Sequence, residues 1–220
     1  MTRRARTLAA GVVKLFNKHR DSPRPLPPPL TGRGIALAIV LGVATLSACG
    51  PSAPADAIAP TDPALDEMFQ NLLAAPTKAE AASIEEQIWQ SWGQSGSATV
   101  DVLIERADAA EAAGDKALAL RFVNQVTQLT PSYAGGWYRR SILLYDADDR
   151  AGAIADIQET LKREPRHFGA LAGLGMIYED MGQEKAALKA YRRALEINPF
   201  LDTAKQGVQR LEPKVEGQDT

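Results

Sequence analysis

Cysteine occurs once in these 220 residues and histidine twice. One thiol excludes an internal disulfide framework. With two histidines beside it, no zinc-ligand spacing can be written, and neither a phosphate-cradling glycine loop nor a Gly-x-Ser-x-Gly elbow is present. Aromatics are also sparse, at 6%. The apolar content of 45% comes mostly from small and aliphatic residues, enough for a core and weighted toward helix. Long apolar runs are lacking too. Ile35–Ala48 stops at 14 residues, and a spanning helix needs about 20. The length suits one domain with extensions.

The formal net charge of −2 hides an asymmetry. Residues 1–33 hold eight Lys/Arg against one acid, Asp21, leaving 17 basic and 26 acidic residues for the rest. A nucleic-acid binder would concentrate its cations in the folded part. A basic head, an apolar run and an acidic body point to targeting instead.

Arg33 immediately precedes the apolar run, whose length fits the core of a signal peptide. The run closes on Leu46-Ser47-Ala48-Cys49, which resembles the bacterial lipobox. That resemblance implies a diacylglyceryl group on the Cys49 thiol and cleavage before it. Two or more acyl chains make a stable anchor where one is marginal. Gly50, not Asp, follows the cysteine, so the resemblance implies an outer-membrane lipoprotein facing the periplasm. Other readings compete. The run can be an uncleaved anchor, although it is short. Cleavage after Ala53-Pro54-Ala55 would give a soluble periplasmic product. Cys49 can be a buried small residue, although its Gly-Pro-Ser neighbours speak against a core. Thr2-Arg3-Arg4 shares only its arginine pair with a twin-arginine signal. Residues 1–34 are long for a signal's basic region, and no Met stands between Met1 and Met68. The natural start is therefore expected nearer Leu30, at a non-Met codon. Residues 49–63, with four prolines, read as a tether.

Pro131, Pro165 and Pro199 recur every 34 residues. Each closes a pair of amphipathic segments. The last unit carries Leu174-Gly175, Tyr178, Gly182, Ala187, Tyr191 and Ala194 in phase. The middle unit has Trp137, Ala153 and Ile157, with Arg140-Ser141 in place of the Leu-Gly pair, and the first has Leu103, Ala107, Gly114, Ala119 and Val123. This pattern resembles the tetratricopeptide repeat. The fold class is accordingly all-α: a right-handed α-solenoid of antiparallel helix pairs. Its units are expected over 100–133, 134–167 and 168–199, within 98–199. Small residues at Ala119, Ala153 and Ala187 let paired helices approach. Gly114, Asp148 and Gly182 occupy the turn where positive φ is required. Phe200–Glu212 reads as a capping helix and 213–220 as a disordered tail. Residues 64–97 read as a degenerate helical pair capping the N-terminal end, with Phe69 beneath Leu103. Ile84, Ile88, Trp89 and Trp92 share one apolar face there, which reads as core.

Taken residue by residue, the resemblance places a concave partner groove on the first helix of each unit. The first unit supplies Asp101, Ile104, Asp108, Glu111 and Ala112. Gly135, Tyr138, Ile142, Tyr145 and Asp146 come from the second, and Gly169, Ala172, Met176, Glu179 and Asp180 from the third. None is Lys, Arg or Asn, so the carboxylate clamp of the family's chaperone-binding members is not reproduced. Tyr138, Ile142, Tyr145 and Met176 read as an apolar strip flanked by acids, which suits a basic and apolar protein segment. His167 is expected to be solvated or to cap a carbonyl, and Asp146, Asp148 and Asp149 to form a solvated turn, not a calcium loop. No catalytic residue, cofactor, metal or nucleic-acid site is expected. The function implied is a membrane-anchored protein–protein interaction module of the periplasm. Its alternative is an accessory subunit presenting substrate to a cell-wall or secretion enzyme.

Overall fold

The computed structural model describes residues 62–217. The expectations on the leader, Cys49 and most of the tether lie outside the described residues. Within them are nine helices and no strand: α1 (Pro63–Ala74), α2 (Lys78–Trp92), α3 (Ala98–Ala112), α4 (Lys116–Leu129), α5 (Ala134–Asp146), α6 (Arg150–Arg163), α7 (Phe168–Asp180), α8 (Glu184–Ile197) and α9 (Asp202–Glu216). None is long and apolar enough to cross a membrane.

From α3 onward the chain repeats itself. The pairs α3–α4, α5–α6 and α7–α8 each turn at a residue with positive φ: Gly114 at 79°, Asp148 at 69° and Gly182 at 73°. Asp115 and Asp149 then cap the second helix, accepting the N–H groups of Leu118 and Gly152 at 2.9 Å. Ala119, Ala153 and Ala187 are fully buried where the paired helices meet. The in-phase prolines do more than end a helix. Each follows the carbonyl residue of a turn, with N–H to O=C bonds from Tyr133 to Thr130, His167 to Glu164 and Leu201 to Asn198. Proline's fixed φ suits that second position of the turn.

Side-chain rungs join successive units with the same period. Lys116 reaches Asp146 at 2.9 Å, Arg150 reaches Asp180 at 2.7 Å and Lys214 reaches Glu184 at 3.2 Å. The third rung has its charges exchanged, and it places α9 where a fourth unit's first helix would stand. Tyr191 of α8 is fully buried between the two flanking helices. A Cβ at Gly175 would lie 2.7 Å from its ring, and one at Gly207 would lie 2.4 Å away. In the middle unit Arg140 stands where the pattern expects Leu. Its guanidinium forks onto buried Asp156 at 2.6 and 2.7 Å and also donates to Thr127.

Two expectations need correction. The cap does not end at residue 212. Helix α9 continues through Pro213 to Glu216, because Leu211 and Val215 are buried and Arg192 grips Glu212 and Glu216. More consequentially, α1–α2 does not cap the first unit. Leu65, Phe69, Leu72, Ala81, Ile88 and Trp92 share one core with the second and third units and α9, while the first unit packs in two smaller clusters, one of them joined by Leu143 of α5. Phe69 therefore does not take the place beneath Leu103. The aromatic face of α2 finds a larger apolar surface further along the solenoid. Val102 of α3 is left 47% exposed.

Candidate partner groove

Helix α2 runs across the turns between units and meets the expected groove at Tyr138 and Gly169. Its start lies at α9, where Lys78 meets Asp202 at 2.6 Å. Near its middle, buried Glu85 accepts a bond from the buried Asn198 amide at 3.1 Å. Its last turn carries Trp89 and Trp92 into an aromatic slot. The Trp89 ring lies 5.7 Å from that of Tyr138, 5.6 Å from Phe168 and 5.3 Å from His167. Trp92 stacks on His167 at 4.1 Å and donates to Glu164 at 3.4 Å. Just beyond the helix, Tyr133 donates to the Gly93 carbonyl at 3.2 Å. Helix α1 lies against the same edge. Arg166 pairs with Asp66 at 2.6 Å and covers the Phe69 ring at 4.3 Å.

The slot depends on Gly169. A Cβ there would stand 2.5 Å from the Trp89 ring, so only glycine lets the indole reach the backbone of α7. His167 is buried, not solvated, and its Nδ1 accepts the N–H of Ala170 at 3.1 Å. Burial holds its pKa down at about 3, so the imidazole is neutral and caps α7. Burial likewise pushes the Tyr138 hydroxyl well above its usual range.

The strip anticipated from the sequence is brought together, but it is covered. Tyr138, Ile142, Tyr145 and Met176 are 5%, 5%, 8% and 2% exposed and belong to the core that includes α1 and α2. Burial, and after it the charge of Asp180, raises the Tyr145 hydroxyl to about 12. Ile104 is buried in a separate cluster of the first unit. The flanking acids are engaged within the chain. Asp101 accepts from Ser95 at 2.7 Å, and Arg139 bridges Asp108 and Glu111. Asp146 and Asp180 hold the rungs described above. Glu179 accepts from Arg210 and from the Tyr191 hydroxyl. Burial pushes that carboxyl up, but Arg210 outweighs it and holds the pKa below the usual range. Arg166, Phe168 and Asn198 were not singled out from the sequence, and His167 was not expected to be part of an aromatic slot. Their shared position after Pro165 and before Pro199 was the available signal.

Comparison with known proteins agrees with this geometry. A profile of the tetratricopeptide repeat matches residues 169–201. A TPR repeat-containing protein of Rhizobium etli is 36% identical over 156 residues, which cover 71% of this chain and 76% of that one. The chain belongs to the tetratricopeptide-repeat family. Human Superkiller complex protein 3 is 32% identical over 48% of this chain, but the match spans only 6% of that protein's length. Among solved structures, the Sgt2 TPR domain from Aspergillus fumigatus superposes with a TM-score of 0.51 at 22% identity, over 56% of this chain and 83% of that one. The first TPR of Spaghetti (RPAP3), bound to an HSP90 peptide, gives a TM-score of 0.51 at 17% identity over 53% and 93%. At these identities the likeness is one of fold. A tetratricopeptide solenoid is a protein–protein interaction module, and no enzymatic family is indicated.

Proposed function

We propose that this tetratricopeptide protein is a lipid-anchored interaction module of a bacterial envelope, tethered through Cys49 to the outer membrane and taking a protein segment on its concave side. The observation that carries the interaction reading is the in-phase solenoid of α3–α9, with its rungs and cap, on a chain of the tetratricopeptide family. A domain of the same fold is seen with a bound peptide, the HSP90 peptide on Spaghetti. The anchoring rests on the sequence alone: a basic head, a 14-residue apolar run, Leu46-Ser47-Ala48-Cys49 and a proline-rich tether. Apart from Asp101, which accepts from Ser95, the groove acids are tied to cations of the chain itself, so charge selection of a basic partner is not where they act. They hold neighbouring helices in register, and the apolar slot supplies the affinity.

The test is metabolic labelling with a palmitate analogue, followed by detergent phase partition. The wild-type chain is expected to incorporate label and enter the detergent phase, and Cys49→Ser to lose both. An unlabelled wild-type chain in the aqueous phase would contradict the anchor. Sedimentation with inner-membrane markers would contradict the outer-membrane placement.

A further inference from the structure

Three features of α1–α2 set it apart from the repeats. It is the only helical pair among the described residues that does not stack on its neighbour in sequence. It joins α3 through Gly93–Ser97, a connector with glycines at 93 and 96, the latter at a φ of 70°. And its attachment combines an aromatic anchor with specific polar contacts. Glu85 is 7% exposed and accepts a bond from the buried Asn198 amide, so the seat calls for an acceptor at that point. Lys78 with Asp202, and Asp66 with Arg166, pair at exposed or half-exposed sites, where ion pairs add little. The path of α2 from Asp202 to Tyr133 is about 22 Å by helical rise, and it crosses successive units at the edge of the groove, as a bound helix would, reaching Tyr138 and Gly169.

We propose that this groove binds an external amphipathic helix with an acidic residue in its middle and two aromatic residues three apart in its last turn, and that α2, with α1, is the displaceable internal occupant. The receiving surface defines the chemistry. The slot of Tyr138, His167, Phe168 and Gly169 takes the aromatic pair. The Asn198 amide and the Arg166 guanidinium donate to carboxylates, as they do to Glu85 and Asp66. This reverses the basic character expected from the groove acids, because those acids are engaged within the chain while the donors face the occupant. The short connector keeps the internal copy at an effective concentration in the millimolar range, so a partner must match it or bind the solenoid elsewhere as well. The proposal rests on the interaction-module reading and gives its site an occupant.

The probe is a fluorescein-labelled synthetic peptide with the sequence of residues 78–92, followed by anisotropy on the full-length chain in a Cys49→Ser background. Weak binding to the parent is expected, tightening at least tenfold when Trp89→Ala and Trp92→Ala loosen the internal copy. Gly169→Ala, whose Cβ fills the slot, should weaken capture in that loosened background. A peptide lacking both tryptophans, or carrying Lys at the position of Glu85, should not bind. Lys78→Cys with Asp202→Cys, bridged by a bismaleimide, locks the occupant without perturbing the core, and this form should capture no peptide. Equal peptide binding by the locked and unlocked chains would overturn the proposal. So would absence of binding to a loosened variant that keeps its helical circular dichroism. If the loosened variant unfolds, the locked and unlocked forms of the parent alone decide. Should the locked chain still retain the same envelope partner as the parent, the interaction reading stands and the displaceable occupant fails.

Discussion

Single residues set the conditions under which this fold holds. His167 is the sharpest case, because burial among Trp89, Trp92 and Tyr138 keeps it neutral while it caps α7. Its pKa falls from 6.5 in the unfolded chain to about 3 in the fold. Between those values the unfolded chain takes up a proton that the folded chain refuses. This contribution is therefore intact above about pH 6.5 and declines on acidification, by up to about 1.4 kcal/mol per pH unit, until about pH 3. His167→Asn keeps a capping side chain and removes the titration. Urea denaturation at pH 7 and pH 5.5 should show a smaller loss of stability on acidification for the variant than for the parent. Equal losses would mean that the imidazole is not held neutral. The rungs are a second residue-scale device. Glu184→Lys sets like charges beside Lys214, which is 48% exposed. A surface pair of this kind is worth about 0.2–1 kcal/mol, so Glu184→Lys should lower stability by that order. Adding Lys214→Glu should restore it, and a double variant no better than the single one would argue against the rung.

At the scale of helices, packing within a unit depends on the small residues at its crossing. Ala187 is fully buried and Lys189, two residues on, is exposed. Ala187→Leu should overpack the α7–α8 contact and cost about 1–3 kcal/mol. Lys189→Ala should stay within about 0.5 kcal/mol. Thermal melts that coincide would refute the register. Much of this scale was legible beforehand. Positive φ at 114, 148 and 182, the buried alanines and the proline turns are local demands, and local demands leave their residue types in the sequence. The acids were harder. A carboxylate at 146 or 180 looks free along its own helix, and its partner lies 30 residues earlier on another one. The 34-residue phase of 116, 150 and 184 against 146, 180 and 214 held that information. The end of α9 was misplaced because a proline is a strong local stop, and the burial of Leu211 and Val215 that overrides it is tertiary.

For the molecule as a whole, the repeated solenoid was readable and the seat of α1–α2 was not. An apolar face at helical spacing says that a helix is covered, but not by what. The faces around Trp89 and Trp92 on one side and Tyr138 and Phe168 on the other are each ordinary core faces when viewed alone. Only the folded chain shows that they cover each other, and that Tyr138 of the expected groove strip is thereby packed from within. This intramolecular occupation is the central claim, and hydrogen–deuterium exchange on the full-length chain tests it most directly. Amides of 66–92 should be protected, yet should open at a free energy well below that of α7–α8, which should open only with global unfolding. Gly169→Arg, which fills the slot, should strip protection from 66–92 while α7–α8 stay protected. Equal protection of α1–α2 and α7–α8, or protection of 66–92 that survives Gly169→Arg, would contradict the account.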